Sequence, residues 1–369
     1  VSQAQTGAEP IVEAKDLTVA YGGQKVLDVP AFQVYDNEVL GIIGPNGSGK
    51  TTLLLCLTRL IKPQTGVVFY RGVPVLDSKS VLRLHRKLAV VFQESLLLNS
   101  SVWDNLTAGL RLRHVGAGEI KARAEKWLER FGIAALARRQ ARTLSSGEAK
   151  RTSLARAFAL QPEVLYLDEP FTALDGPTRQ ALLEDFKGVL GETKVTTVIV
   201  THDRNEALAL TDRVAVIMNG HIAQIGTPAE VFSSPANEEI ASFVEAGNII
   251  HGVVGAQSGG LASIKVGEHH IEAVSELPVG SKVILLLPYD DITIFMPSSA
   301  TMTTSARNRF PGEVVRMFPI GSQVRVTINC GFPLTALITR KSAEELGLKE
   351  GTRVVAMVKA VSIHVIGRH

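Results

Sequence analysis

The glycine-rich run Gly44-Pro-Asn-Gly-Ser-Gly-Lys50-Thr51-Thr52 restricts what this 369-residue chain can fold into more than any other stretch. It follows the short apolar segment Val39-Leu-Gly-Ile-Ile43 and precedes a helix-like apolar stretch at 52–61 that Lys62-Pro63 should end. A Gly-x4-Gly-Lys-Thr pattern between a strand and a helix is a phosphate-binding loop. Its glycines let the backbone close round a phosphate, and N–H groups at the helix start point into it. Nucleoside triphosphate contacts are therefore expected from Gly44, Asn46, Gly47, Ser48, Gly49, Lys50, Thr51 and Thr52. Lys50 should reach the β- and γ-phosphates, and the Thr51 hydroxyl should ligate magnesium.

A second apolar strand, Val164-Leu-Tyr-Leu-Asp168-Glu169, ends in paired acids. Asp168 suits the magnesium shell through water, and Glu169 suits a base for the attacking water. Without the upstream loop, the same pair reads equally well as a solvated helix start. Strand and helix signals alternate over 11–230, which implies an α/β unit with a largely parallel sheet. Between 95 and 158 the pattern turns helical and charged, with apolar spacing of a helix at 119–131 and again at 148–160.

After Phe232-Ser-Ser-Pro-Ala-Asn237, read as a linker, short alternating strands dominate at 249–254, 283–287, 312–315, 323–328 and 354–358. This implies a small all-β barrel. Pro278-Val-Gly280 before one strand and Lys349-Glu-Gly351 before another, each strand trailed by a short apolar segment, imply two related modules. The net charge of +3 gives no support to nucleic-acid binding, and none is expected. No run of about 18 apolar residues offers a membrane span. Residues 1–10 are polar, unlike a signal peptide, and read as a disordered tail. Cys56 and Cys330 lie far apart without metal-ligand neighbours, which fits a reducing compartment.

Between the loop and the acids lies Leu144-Ser145-Ser146-Gly147-Glu148. Ser145 and Glu148 fit a capping box at a helix start, and such a start favours anions. The order of loop, pentapeptide and acids resembles the ATPase subunit of ABC transporters of the importer type, over residues 11 to about 235. The resemblance implies a head-to-tail homodimer with two ATPs sandwiched, in which Ser145 and Gly147 reach the γ-phosphate held by the other subunit. It implies that His202 is a switch histidine holding the base, and that Gln93 senses magnesium and the attacking water. Tyr21 would stack on adenine, and Asp175 would cross the dimer interface. It further implies ATP and magnesium as cofactors, integral membrane permease subunits as partners, and indirectly a periplasmic or extracellular substrate-binding protein. The place of work would be the cytoplasmic face of the membrane. Ser146 and Glu148 stand where the family has Gly and Gln; one could crowd and the other repel the γ-phosphate, so a slower or more tightly gated ATPase is expected.

Ser305-Ala-Arg307-Asn308, Gly312-Glu-Val314 and Ile338-Thr-Arg-Lys341-Ser342 with the residues to Leu348 resemble the molybdate/tungstate-binding module. Ser305, Arg307, Lys341 and Ser342 would then donate to a tetrahedral oxyanion; alternatively Arg307 and Lys341 are solvated surface charges. The expected architecture is a P-loop NTPase α/β core at 11–235 with an inserted helical subdomain at 95–158. An OB-like all-β regulatory domain follows at 245–369, in modules 245–297 and 303–369. The expected function is ATP hydrolysis that powers a membrane importer of molybdate or tungstate. The same engine could serve sulfate, iron, sugar or polyamine import, or the chain could be a soluble ATP-gated oxyanion sensor or store.

Overall fold

The computed structural model describes residues 9–297 and 304–368. The chain divides into two compact units between Pro228 and Ala229. In the first, β1 (Pro10–Tyr21) and β2 (Gln24–Tyr35) form an antiparallel pair. β3 (Val39–Ile43) leads through the phosphate loop into α1 (Lys50–Leu57). β4 (Thr65–Tyr70) and the short β5 (Val73–Pro74) complete an antiparallel sheet in the order β2-β1-β4-β5. Then come α2 (Ser78–His85), β6 (Leu88–Val91) and the helices α3 (Val102–Leu112), α4 (Ala117–Arg130) and α5 (Ser146–Ala159). β7 (Val164–Asp168), α6 (Gly176–Thr193), β8 (Thr196–Val200), α7 (Arg204–Leu210), β9 (Arg213–Met218) and β10 (His221–Gly226) follow. The second sheet has the order β10-β9-β3-β8-β7-β6 and is parallel except for β10.

Every residue of β3, β7 and β8 is buried, the pattern of strands covered on both faces. Alternation along β7 then sorts its side chains between two cores. Val164 and Tyr166 pack with α1 and the antiparallel sheet, whereas Leu165 and Leu167 pack with Phe158, Phe186 and the other helices. Ligands of open parallel sheets bind at the carboxyl ends of the strands. The phosphate loop, Asp168 and Thr201 all emerge at that edge. α1 stops earlier than expected, at Leu57 rather than near Ile61. Thr58 turns its hydroxyl back to the Leu54 carbonyl, and Arg59 takes a left-handed φ of 56°, which ends the helix before Pro63 is reached.

Of the stretch read as a linker, Phe232 and Ser233 end α8 (Pro228–Ser233), 234–237 is non-helical, and α9 (Glu238–Phe243) follows directly. The Asn237 side chain caps α9 by accepting from the Ile240 N–H, and Phe232 is buried. The remaining strands are β11 (Asn248–Ser258), β12 (Leu261–Val266), β13 (His269–Val274), β14 (Lys282–Leu287) and β15 (Thr293–Phe295). After them come β16 (Asn308–Ile320), β17 (Gln323–Asn329), β18 (Pro333–Thr339), the helix α10 (Arg340–Glu345), β19 (Arg353–Val358) and β20 (His364–Gly367).

They form two antiparallel sheets, β13-β12-β11-β14-β20 and β15-β19-β16-β17-β18. Read outward from their long strands the two orders match, but each half lends its last strand to the other. β15 pairs with β19, and β20 pairs with β14. The echo read from the sequence is thus an intertwined pair rather than two modules in tandem. One hydrophobic core joins both sheets, with Ile264 and Leu285 from one and Val326 and Ala356 from the other.

Candidate functional site

The site is built where β3, β7 and β8 end side by side. Gly44, the first residue of the loop, is buried, and a Cβ there would sit 2.2 Å from the Ile217 carbonyl oxygen and 2.7 Å from Ser48 Oγ. No side chain fits. Gly44→Ala is expected to lower stability by about 1–3 kcal/mol through overpacking and to weaken nucleotide binding. Thermal melting with and without ATP checks both; an unchanged melt would show that the loop relaxes freely.

The Lys50 ammonium is buried and donates to the Gly44 and Pro45 carbonyls, both at 2.9 Å. Burial lowers its pKa, against the charges of Glu169 and Asp168. The Ser48 hydroxyl oxygen is buried with no hydrogen-bond partner among the described residues, an orphaned polar atom inside the loop. The first-turn N–H groups of α1 lack helical acceptors by geometry. Together they fit an anion. Thr51 Oγ1 donates to Asp168 Oδ1 at 3.2 Å, which brings a hydroxyl and a carboxylate together beside the loop. Burial raises the Asp168 pKa, partly offset by the Thr51 hydrogen bond.

Glu169 takes a left-handed φ of 45° directly after β7. Its N–H is held by the Val200 carbonyl at 2.9 Å, and its carboxylate accepts from Thr172 Oγ1 at 3.2 Å. His202 Nδ1 lies 3.2 Å from Glu169 Oε1, its side chain half exposed. The structure therefore brings Lys50, Thr51, Asp168, Glu169 and His202 together. Gln93 is exposed just past β6, and its carbonyl accepts from the buried Lys150 ammonium at 2.6 Å. Tyr21 is exposed at the end of β1, beside the turn to β2.

Ser145 caps α5: its hydroxyl accepts from the Glu148 N–H at 3.3 Å, and the Glu148 carboxylate accepts from the Ser145 N–H at 2.7 Å. The capping box is present as read. A Cβ on Gly147 would meet Thr178 Cγ2 at 2.8 Å, so the pentapeptide packs against the start of α6. Asp175 caps that helix by accepting from the Thr178 N–H at 3.0 Å.

The four oxyanion candidates do not converge within the chain. Arg307 just precedes β16 and pairs with Glu272 at 3.2 Å, while Ser305 is exposed beside it. Ser342 bonds to Thr339, which lies opposite Gln323 and hence at the far end of the 13-residue β16. The Lys341 ammonium stands 83% exposed, 3.8 Å from Glu345. The pattern match grouped residues that a long strand separates.

Sequence reasoning missed the supports. Arg179, one turn after Asp175, is 2.6 Å from both Asp203 and Glu206, the acids that follow His202. Glu206 is buried and also accepts from Thr201. A helical cation four residues after Asp175 reads as solvated, so no signal in the sequence separates it from other surface charges. Lys150, Ser153 and Arg156 on α5 donate to the carbonyls of Gln93, Ser95 and Leu96, clamping that loop to the helix that Ser145 caps.

The fold and this site define an ATP-binding protein of the P-loop class. The family model described as ABC transporter matches residues 27–172, and the TOBE domain model matches 304–365. The molybdate/tungstate import ATP-binding protein of Pyrococcus horikoshii is 39% identical over 337 residues, 91% of this chain and 94% of that protein. The sulfate/thiosulfate import ATP-binding protein of Mycolicibacterium paratuberculosis is 36% identical over 347 residues, 93% of this chain and 88% of that protein. A solved dimeric bacterial ABC transporter cassette aligns at TM-score 0.55 and 28% identity, over 59% of this chain and 98% of that one. Its post-hydrolysis form, bound to ADP and Pi, aligns at TM-score 0.54 and 27% identity, with the same coverage. The chain belongs to the ABC transporter family: it is an ATP-binding subunit, an ATPase coupled to transport.

Proposed function

We propose that the chain powers import of tetrahedral oxyanions of the molybdate/tungstate type through integral membrane permease subunits, on the cytoplasmic face of the membrane. The observation that carries this reading is identity of 39% and 35%, over 91% and 96% of the chain, to molybdate/tungstate import ATP-binding proteins of two Pyrococcus species. In this account ATP lies over the phosphate loop with its adenine against Tyr21. Thr51, Asp168 and, through its side chain, Gln93 would hold magnesium, which suits hard oxygen donors and neutralises phosphate charge. Lys50 and the loop N–H groups hold the β- and γ-phosphates. Glu169 takes the proton of the attacking water, and His202 fixes the Glu169 carboxylate. Ser145 and Gly147 of a second copy close over the γ-phosphate, with Asp175 at the same interface.

The 36% identity to a sulfate/thiosulfate import protein supports sulfate as a second reading. One experiment separates them. Cells lacking this chain should lose most high-affinity uptake of tungstate and molybdate, measured as cellular metal content, while sulfate uptake is unchanged. The wild-type chain should restore uptake and Glu169→Gln should not. Loss of sulfate uptake instead would select the second reading, and no change in any of the three would remove both.

A further inference from the structure

We propose that Arg139 is a positioning residue for ATP turnover: it neutralises Glu148, so the start of α5 stays receptive to a phosphate although an acid stands in its first turn. The inference rests on the proposed closure of that helix start over ATP held by a second copy. Ser145 Oγ is taken as acceptor by the Glu148 N–H, and Glu148 is taken up by the Ser145 N–H. The hydroxyl proton of Ser145 and the N–H groups of Ser146 and Gly147 have no acceptor within the helix. A carboxylate beside them competes for the same positive helix pole and repels a phosphate. The Ser145 N–H, and Arg139 in a lesser part, hold the Glu148 carboxyl below the ordinary range, so the acid stays charged.

Arg139 answers this charge from outside the helix. Its Nη1 lies 3.2 Å from one Glu148 oxygen and 3.5 Å from the other. The same guanidinium donates from Nη2 to the Thr143 carbonyl at 2.6 Å and from Nε to the Thr143 hydroxyl at 3.2 Å. Its own carbonyl accepts from the Val102 N–H at 3.0 Å, anchoring it to the start of α3. Four guanidinium contacts, with the backbone anchored beneath them, therefore fix the cation at one place relative to the pentapeptide. Both side chains are partly exposed, at 45% and 30%, and such pairs contribute little to stability. Their charges would weigh more once a second copy and its nucleotide displace the water.

The test uses the full chain carrying Glu169→Gln, so that ATP is not consumed, and reads the ATP concentration for half-maximal dimerisation. Arg139→Ala should raise it ~10-fold, the size expected of one uncompensated charge near a phosphate, and added salt should shrink the shift. With Glu148→Gln also present, Arg139→Ala should change it by less than about 2-fold, because the charge it answers has gone. Arg139→Lys should keep most of the function, and ATP binding by the dilute monomer should not move. An equal cost with and without Glu148→Gln would show that Arg139 acts directly or only structurally, and no cost would show that it does not act; either result overturns the inference alone. Failure of the parent protein to dimerise with ATP would remove the proposed closure and this inference with it.

Discussion

Replacing Glu169 by glutamine should slow ATP turnover by about 10²–10⁴-fold, the range for loss of a general base, while nucleotide still binds. Glutamine keeps the shape and can hold the contacts to Thr172 Oγ1 and His202 Nδ1, both 3.2 Å from the carboxylate. It cannot take a proton from water. The strained backbone at Glu169, φ 45°, is pinned by the Val200 carbonyl and should survive the change, so melting should shift little. Phosphate release and equilibrium binding of ATP are the two measurements. Turnover within tenfold of wild type would mean that another group supplies the base.

Arg179→Ala should cost about 3 kcal/mol of stability, the lower end for removing one partner of a buried ion pair. Glu206 is 5% exposed at its side chain and would keep only the Thr201 hydroxyl, while Asp203 loses its cation as well. Since Thr201 and Asp203 flank His202, turnover should fall along with stability, and more steeply than Lys150 or Arg156 changes of similar cost. Adding Glu206→Gln should recover most of the stability, because the buried charge is gone. If the double variant is no more stable than Arg179→Ala, the buried carboxylate is not the cause.

Local motifs with a backbone mechanism were legible from the residues. The phosphate loop, the strand ending at Asp168, and the Ser145–Glu148 box each announce themselves within a few positions, because their geometry is set by neighbours in the chain. Partners distant in sequence were not. Arg179 and Glu206 lie 27 residues apart, and Arg139 sits nine before Glu148 in an irregular stretch. Each alone is an ordinary surface charge, so the expected repulsion by Glu148 was read without the cation that meets it. The strand exchange of β15 and β20 was equally hidden, since alternation tells which face a residue takes but not which strand lies beside it. The oxyanion grouping of Ser305, Arg307, Lys341 and Ser342 was not reproduced for the same reason: nearness in a motif is not nearness across β16. α1 was read too long because Leu60 and Ile61 extend the apolar run, although the left-handed turn at Arg59 had already closed the helix.

In the proposed mechanism one chain holds half of each ATP site. Sedimentation of the full chain carrying Glu169→Gln, with ATP and magnesium, tests it most directly. A shared site requires a dimer holding two nucleotides, which reverts to monomer when ADP replaces ATP or when Ser145→Arg is added. A monomer that binds ATP one to one at saturation, and is indifferent to Ser145→Arg, would contradict it.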